Sequence, residues 1–256
     1  MSTVTVEEFL SQALLILDKA EAAGIHLRLL GSIAFRIHCP KNVQLLDQMQ
    51  RELTDIDYVG LSLERKKYQS FMLALGYEVD KGLLVATEGS RFFFNNPQTG
   101  LGVDIFVDKL EFCHTVWLKD RLDLDKPTIT LVDLLMEKMQ IVEINLKDLK
   151  DTAILLLEHE LGKGDRDKID VKYLTKIMSE DWGFYYTLST NLGKCRQFLN
   201  ESHILSDSQK TEVERRIEAI IDAIENSPKS MRWKMRAKIG TKMPWYQKVA
   251  EKEDFF

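Results

Sequence analysis

The stretch Leu53-Thr-Asp-Ile-Asp-Tyr-Val-Gly60 constrains the fold and the chemistry of this chain more than any other segment. In a β-strand, residues i and i+2 lie on one face, so the side chains of Asp55 and Asp57 point the same way, while the apolar residues around them supply the bulk that strands prefer. Two carboxylates held this close need a cation beside them. Because short acidic pairs also arise by chance in turns, Asp-x-Asp alone is a weak signal for a metal site, and its surroundings have to support it.

The composition is that of an ordinary globular protein. With 256 residues, of which 45% are hydrophobic, the chain is long enough for one large domain or two smaller ones, and we expect two. The net charge of -5 argues against coating of nucleic acid by the whole surface, although Lys and Arg concentrate between Lys229 and Lys242. The three cysteines form no Cys-x-x-Cys pair, and we find neither a signal peptide nor 18 consecutive apolar residues, so we expect a cytoplasmic protein that makes no membrane contact.

The first half of the sequence alternates between helix and strand patterns. Apolar spacing predicts a helix over residues 6–23, a buried strand over 26–30, a helix that starts after Gly31-Ser32 and ends at Cys39-Pro40, and a further helix over 64–75. The structure of residues 41–53 stays open. From 77 to 117 the pattern predicts a mostly antiparallel set of short strands at 77–79, 83–86, 91–94, 103–107 and 112–116.

After Pro127 the pattern becomes helical. Thr130 and Asn145 are predicted to cap helices over 131–142 and 146–159, and further helices are predicted over 170–178, 183–199 and 206–226. The fold class that follows is α+β: a mixed, mostly antiparallel sheet flanked by helices in residues 1–125, followed by an all-helical domain in residues 126–256. The boundary is expected at 123–126.

Asp104 is a third acid of interest, because it lies inside the apolar run Gly102-Val-Asp-Ile-Phe-Val-Asp108. Burying a charge without a partner is strongly unfavourable, so something has to compensate it. If this strand lies beside the one with Asp55 and Asp57, three carboxylates converge, and one or two Mg²⁺ ions, which prefer oxygen ligands, are the natural compensation. Asp55 and Asp57 would then hold the ions that bind a triphosphate, and Asp104 would help bind the catalytic ion and accept a proton. The alternative is that Asp104 only satisfies backbone donors at a β-bulge.

Gly31-Ser32 would complete such a site. Glycine allows the backbone to approach a phosphate closely, the serine hydroxyl can donate to it, and the free N–H groups at the start of the next helix attract its charge. A Gly-Ser pair alone is an ordinary turn. Its value comes from the order of motifs along the chain: Gly-Ser after a strand, then Asp-x-Asp, then an isolated Asp in a later apolar strand.

In these residues the chain resembles the nucleotidyltransferase superfamily that includes DNA polymerase beta. It is most similar to the stand-alone nucleotidyltransferases related to toxins of bacterial abortive-infection systems, through Gly31-Ser32, through Arg51 and Thr54 ahead of the Asp-x-Asp pair, and through Leu134-Leu-Met-Glu-Lys-Met-Gln140 followed by Lys147-Asp-Leu-Lys-Asp151. The resemblance extends over residues 27–157. The spacing between Cys39 and Gln50 is longer than in that group, and no motif of the group follows residue 165.

The resemblance implies roles for residues of the helical half. Lys138 and Lys147 would neutralise triphosphate charge, and Asp148 and Asp151 would orient the lysines or the acceptor. Without the resemblance, Lys138 is interpreted as a solvated residue and 147–151 as a helix surface with ordinary ion pairs. For Arg36 two roles stay open, contact with phosphate or capping of its helix.

The hypothesis that follows is a Mg²⁺-dependent nucleotidyltransferase. It would move a nucleoside monophosphate from an NTP such as ATP to a hydroxyl acceptor (an RNA 3′ end, a protein side chain or a small molecule) and release pyrophosphate. The alternative is a non-catalytic nucleotide-binding or toxin–antitoxin interaction module, with an antitoxin protein as partner. For Met231-Arg-Trp-Lys-Met-Arg-Ala-Lys238, which interleaves basic and aromatic residues, two interpretations stay open: contact with an RNA backbone, or a basic helix packed through Trp233.

Overall fold

The computed structural model describes residues 4–164 and 166–248, which form an α+β fold around a mixed five-stranded sheet. Five strands make up the sheet: β1 (Leu27–Leu30), β2 (Asp55–Gly60), β3 (Glu78–Val79), β4 (Arg91–Asn95) and β5 (Gly102–Val107). The helices among them are α1 (Val6–Ala22), α2 (Gly31–His38), α3 (Val43–Gln48), α4 (Arg65–Ala74) and α5 (Lys81–Ala86), with a 3₁₀ turn at Ser62–Glu64. The α+β prediction and the flanking helices are confirmed.

The order of strands in the sheet is β1-β2-β5-β4-β3. Only β2 and β5 run parallel, and the other three pairs are antiparallel. A parallel pair needs a crossover connection, which the chain makes through α4, α5 and the β3–β4 pair before it returns as β5. The crossover brings Asp57 directly beside Asp104 in the register of the two strands.

The two faces of the sheet have different roles. On one face the Tyr58 ring lies beneath α1 and its hydroxyl donates to the Ala13 carbonyl at 2.8 Å, while the Phe92 ring contacts Tyr68 of α4 edge-on at 5.6 Å. Because successive side chains of a strand alternate between faces, Asp57 and Asp104 project from the opposite face. One face therefore supplies the core, and the other is free to build a polar site.

The remainder of the described chain is mainly helical. A hairpin of β6 (Lys109–Glu111) and β7 (Thr115–Trp117) leads into α6 (Leu131–Met139), α7 (Leu146–Glu158), α8 (Val171–Glu180), α9 (Trp182–Glu201), α10 (Asp207–Glu225), α11 (Met231–Ile239) and a 3₁₀ turn at Gly240–Lys242. Thr130, Asn145 and Ser206 cap α6, α7 and α10 through their side-chain oxygens. The predicted caps of α6 and α7 are confirmed.

Three predicted elements are wrong. Residues 83–86 form part of α5 and not a strand, because Asp80 caps the segment by accepting the Leu83 N–H at 2.9 Å. Residues 112–116 include the turn between β6 and β7. The part after 126 is not all-helical, since β8 (Glu160–Gly162) and β9 (Lys168–Asp170) pair in parallel. Directly before β8, the His159 carbonyl accepts a hydrogen bond from Arg216 of α10 at 2.7 Å. This contact spans 57 residues, so no local sequence pattern reveals how the chain continues after α7.

The two parts of the chain share one contiguous cluster of buried apolar residues. The backbone also joins them, since the Leu29 N–H of β1 donates to the Pro127 carbonyl at 3.0 Å and the Ile129 N–H donates to the Leu29 carbonyl at 2.9 Å. Helix α6 therefore starts beside the strand that leads into α2, and a site at α2 can include residues of α6 and α7. Within the described residues, no helix combines the length and the apolar character that crossing a membrane requires.

Candidate active site

Three carboxylates meet where β2 and β5 begin. Asp55, Asp57 and Asp104 each offer one oxygen, and these three oxygens lie within 4.8 Å of one another. The cause is the parallel register, which sets Asp57 opposite Asp104 on one face of the sheet. The convergence predicted from the sequence is confirmed, and a trio of carboxylate oxygens suits a hard divalent cation such as Mg²⁺.

Asp57 lies between the other two carboxylates, and its ionisation is affected by both. Burial raises the pKa of Asp57 well above its ordinary range, and the negative charges of Asp55 and Asp104 raise the pKa further. The ionised form of Asp57 is therefore disfavoured unless a positive charge is close by. A divalent cation among these oxygens would supply that charge.

Gly31 packs directly against Asp57. Its φ of 68° lies in the left-handed region, and a Cβ at this position would lie 2.1 Å from Asp57 Oδ2. Any side chain here would displace the carboxylate, so glycine is required both by the backbone conformation and by the close approach. The Gly-Ser turn thus belongs to the acidic site, as the order of motifs predicted.

The first N–H group of α2 is not free, which corrects one detail of the prediction. The Gly31 N–H donates to Glu137 Oε2 of α6 at 3.1 Å, so a carboxylate of the protein occupies the place expected for a phosphate oxygen. Ser32 follows as a buried residue of the first turn. A phosphate that uses the Gly31 N–H therefore has to replace Glu137 first.

Asp104 has a partner that the sequence did not reveal. Arg91 at the start of β4 donates to both of its oxygens, from Nε to Oδ1 at 2.7 Å and from NH2 to Oδ2 at 3.0 Å, and the Arg91 guanidinium lies 5.0 Å from the centre of the Phe106 ring. The alternative in which Asp104 satisfies backbone donors at a bulge is wrong, because an arginine compensates its charge. A carboxylate has about four lone-pair positions, so this pairing leaves capacity for a metal ion.

Lys138 lies at the centre of a second group of acids. It is buried, and its Nζ lies 3.0 Å from Glu137, 3.3 Å from Asp148 and 3.7 Å from Asp151. Burial alone would lower the pKa of Lys138, but the three carboxylates outweigh this effect and raise it. The interpretation of Lys138 as a solvated residue is wrong, because Lys138 is buried and forms ion pairs with these carboxylates.

Arg51 connects this second group to the segment before β2. Its Nε and NH2 donate to the two oxygens of Asp151 at 2.9 and 2.8 Å, and Asp151 is fully buried. Arg36 does not contact the group of acids around Lys138. It pairs with Asp47 of α3 at 2.7 Å and donates to the Arg51 carbonyl. Of the two roles left open for Arg36, capping of α2 is not observed among the described residues, because the side chain instead joins α2 to Asp47 of α3 and to the Arg51 carbonyl.

Lys147 is the other predicted residue that the structure does not bring into the site. It is exposed at the start of α7, and the described part of the chain offers its side chain no hydrogen bond or ion pair. The neighbouring Asp148 points to Lys138 instead.

Sequence reasoning missed Glu137 and Arg91, for different reasons. Glu137 had a usable signal: like Asp104, it is a charged residue in an apolar run, Leu131–Met139, all of which is buried. Arg91 had none, because its contact with Asp104 depends on the register of β4 against β5.

Taken together, the site has an excess of carboxyl groups. Six of them (Asp55, Asp57, Asp104, Glu137, Asp148, Asp151) are accompanied by three cationic side chains (Arg51, Arg91, Lys138). Such an arrangement is suited to bind metal cations and, with their help, a polyanionic ligand.

Comparison with protein-family models, with curated proteins and with solved structures finds no match to this chain. Its function therefore has to be inferred from the chemistry of the site.

Proposed function

We propose that this protein is a Mg²⁺-dependent nucleotidyltransferase of the superfamily that its motifs resemble. The observation that carries the proposal is the meeting of Asp55, Asp57 and Asp104 on one face of the sheet, with oxygens within 4.8 Å of one another, beside the glycine that begins α2. In this proposal the sheet is a nucleotidyltransferase sheet and the part after 126 is a helical domain that closes the site through α6 and α7.

The three aspartates would hold one or two Mg²⁺ ions. Bound Mg²⁺ would neutralise the charge of the triphosphate and polarise the α-phosphoryl group. In the transfer, the oxygen of the acceptor hydroxyl bonds to the α-phosphorus of the NTP, and the bond from that phosphorus to the oxygen bridging to the β-phosphorus breaks, so that pyrophosphate leaves. Asp104 accepts the proton of the hydroxyl, and Arg91 holds its carboxylate in position.

Lys138 would bind the triphosphate from the side of α6. Its ammonium group is fixed by three carboxylates, and a cation held in place beforehand stabilises a transferring phosphoryl group without reorganisation. The acceptor is an RNA 3′ end, a protein side chain or a small molecule.

The test is pyrophosphate release from each of the four NTPs in the presence of Mg²⁺. We expect Asp57→Asn and Asp104→Asn to lower the rate by at least about 100-fold, because each removes a charge aimed at the reacting groups. Asp108→Asn is the matched control, since Asp108 follows β5 directly but binds the Ser62 N–H at 2.8 Å, a contact that an asparagine oxygen can also make. Equal rates for Asp57→Asn and the wild type would contradict the proposal.

The acceptor is identified by incubating the protein with α-labelled NTPs and a cell extract. Label then enters the RNA, protein or small-molecule fraction, and the Asp57→Asn protein shows which of these transfers depends on the site.

A second candidate function rests on the Arg91–Asp104 pair. Because Arg91 binds both oxygens of the carboxylate proposed as the base, the protein could bind nucleotide without transferring it and act as a nucleotide-binding or toxin–antitoxin interaction module. NTP binding in calorimetry together with no pyrophosphate release for any acceptor fraction would favour this candidate. Turnover that is lost in Asp104→Asn would exclude it.

A further inference from the structure

The segment from Lys229 to Lys248 has a charge unlike that of the rest of the chain. It contains seven Lys and Arg residues and no Asp or Glu, although the chain as a whole has 40 acidic residues and a net charge of -5. The next acidic residues in the sequence, Glu251, Glu253 and Asp254, lie outside the described residues. Positive charge is therefore concentrated on one short segment, which forms α11 and the turn that follows it.

The cations of this segment are available to a ligand. Arg232, Lys234, Lys238 and Lys242 are exposed, and among residues 4–164 and 166–248 their side chains make no hydrogen bond or ion pair. Arg236 differs, because it donates to the Gly240 and Met243 carbonyls and so holds the turn after α11. Because these cations are clustered on one segment without intervening acids, the segment favours an anionic ligand.

Arg232 and Arg236 line a groove with a volume of about 790 Å³, whereas Lys234, Lys238 and Lys242 do not line it. Its lining combines aromatic rings with arginines: Trp117, Trp182, Arg232, Trp233, Arg236 and Trp245. Trp117 is 59% exposed, which is unusual for an aromatic side chain of this size, and Lys109 lies 5.1 Å from the centre of its ring. An exposed ring of this size is a surface on which a nucleobase can stack, while Lys109 itself pairs with Glu111 at 2.6 Å.

The residues on one side of the groove are held in place by contacts with α9 and with the turn between β6 and β7. Trp245 donates from Nε1 to Thr187 Oγ1 at 3.2 Å, and the Gln247 N–H donates to the Cys113 carbonyl at 3.0 Å. A Cβ on Gly183 would lie 2.4 Å from the Trp245 carbonyl, so the segment is seated closely on α9. A preformed groove loses little entropy when a ligand enters.

We propose that this groove and the exposed cations of α11 bind a single strand of nucleic acid. The cations contact backbone phosphates and Trp117 stacks on a base, the combination by which sequence-independent single-strand sites work. The concave shape favours a strand over a lipid bilayer, which is flat. Of the two acidic residues that line the groove, Asp181 is used to cap α9 by accepting the Phe184 N–H at 3.0 Å, and Glu180 is exposed. The proposal is independent of the proposed catalytic activity.

The test is fluorescence anisotropy of labelled U20 RNA and dT20 DNA with the full-length protein, without Mg²⁺ or NTP, at a series of salt concentrations. The test variant carries Arg232→Gln, Lys234→Gln and Lys238→Gln. The matched control carries Lys66→Gln, Lys81→Gln and Lys163→Gln, which removes three exposed cations elsewhere and changes the net charge by the same amount. All six substituted side chains are exposed, and thermal melts establish that both variants fold.

We expect the wild type to bind at least one of the two strands with a strong salt dependence. The test variant should bind at least about tenfold more weakly, with a slope of log K against log salt that is smaller by about 2, because each phosphate contact contributes about 0.7 to that slope. The control should bind like the wild type. Trp117→Ala should weaken binding by about five- to a hundredfold at an unchanged salt slope, as loss of one stacked base predicts.

Three results would overturn the proposal. One is no salt-dependent binding of either strand by the wild type. Another is equal affinity and slope for the test variant and the control. The third is binding of vesicles that contain 30% phosphatidylserine, or of a poly-glutamate peptide, without binding of either strand, since this would assign the surface to a membrane or to an acidic protein.

Discussion

The packing of Gly31 against Asp57 allows a quantitative test of the site. Replacing Gly31 by alanine adds one methyl group, whose carbon would lie 2.1 Å from Asp57 Oδ2 and 3.0 Å from Asp57 Cγ. Asp57 cannot move as a whole, because its strand is paired on both sides, with β1 and with β5. The carboxylate therefore has to leave its position among the three aspartates.

Two terms make up the expected loss of stability. The left-handed backbone conformation at φ 68° costs a residue with a Cβ about 1–2 kcal/mol. The forced repacking against Asp57 costs about 1–3 kcal/mol more, the usual range for an overpacked interior. Gly31→Ala should thus lower the free energy of unfolding by about 2–5 kcal/mol.

Gly24→Ala is the matched control. Its φ of 62° is nearly the same, but a Cβ there has no atom within 4 Å, so only the backbone term of about 1–2 kcal/mol applies. Both variants are compared with the wild type by urea unfolding followed by circular dichroism. The difference between their losses of unfolding free energy measures the contact between residue 31 and Asp57.

A double-mutant cycle with Asp57→Ala sharpens this comparison. Asp57→Ala removes the two atoms that come closest to position 31 and leaves only the Cβ of residue 57, 3.1 Å away. In that background Gly31→Ala should cost less than in the wild type, which gives a coupling of about 1–3 kcal/mol between positions 31 and 57. A coupling near zero, or equal losses for Gly31→Ala and Gly24→Ala, would refute the close approach that defines this site. Melting with 10 mM Mg²⁺ or with EDTA extends the test, because Mg²⁺ should stabilise the wild type and not Gly31→Ala.

Three further predictions concern single side chains. Arg51→Met removes both hydrogen bonds to the buried Asp151 and should destabilise the protein by about 3–5 kcal/mol in urea unfolding, whereas Arg215→Met, at an exposed ion pair, should leave the midpoint unchanged. The raised pKa of Asp57 means that the folded state binds its proton more tightly than the unfolded state does, so in EDTA the stability contributed by Asp57 should decrease as the pH rises from 4 to 8. The difference in unfolding free energy between the wild type and Asp57→Asn should therefore change with pH in that direction, and a difference independent of pH would contradict the assigned cause. Burial lowers the pKa of His114 to about 4 from 6.5, so the unfolded state takes up the proton first, and His114 by itself should lower the stability by about 3 kcal/mol between pH 7 and pH 4. His114→Gln should remove that loss in thermal melts, and a His114 resonance that titrates near 6.5 in NMR would disprove it.

Much of the architecture could be predicted locally. The stripe of apolar residues placed α1 within one residue of its observed end, and the caps Thr130 and Asn145 gave the starts of α6 and α7. These features depend on neighbours three or four positions apart, which the sequence displays directly. Residues 83–86 show where such local prediction fails. An apolar run of that length fits a strand and a helical turn equally well, and the Asp80 cap selects the helix.

The candidate site, like the fold, could be predicted from the sequence only in part. The sequence alone determined that Asp55 and Asp57 share a face of a strand, because the period of a strand is two, and that Asp104 requires compensation, because a charge in an apolar run cannot stay unpaired. Only the tertiary structure decided what compensates each acid. The parallel register brings Asp104 to Asp57, the antiparallel β4 brings Arg91 to Asp104, and the packing of α6 against α2 puts Glu137 at the Gly31 N–H. These contacts join residues 13 to 106 positions apart, and such distances are set by topology and not by any local pattern.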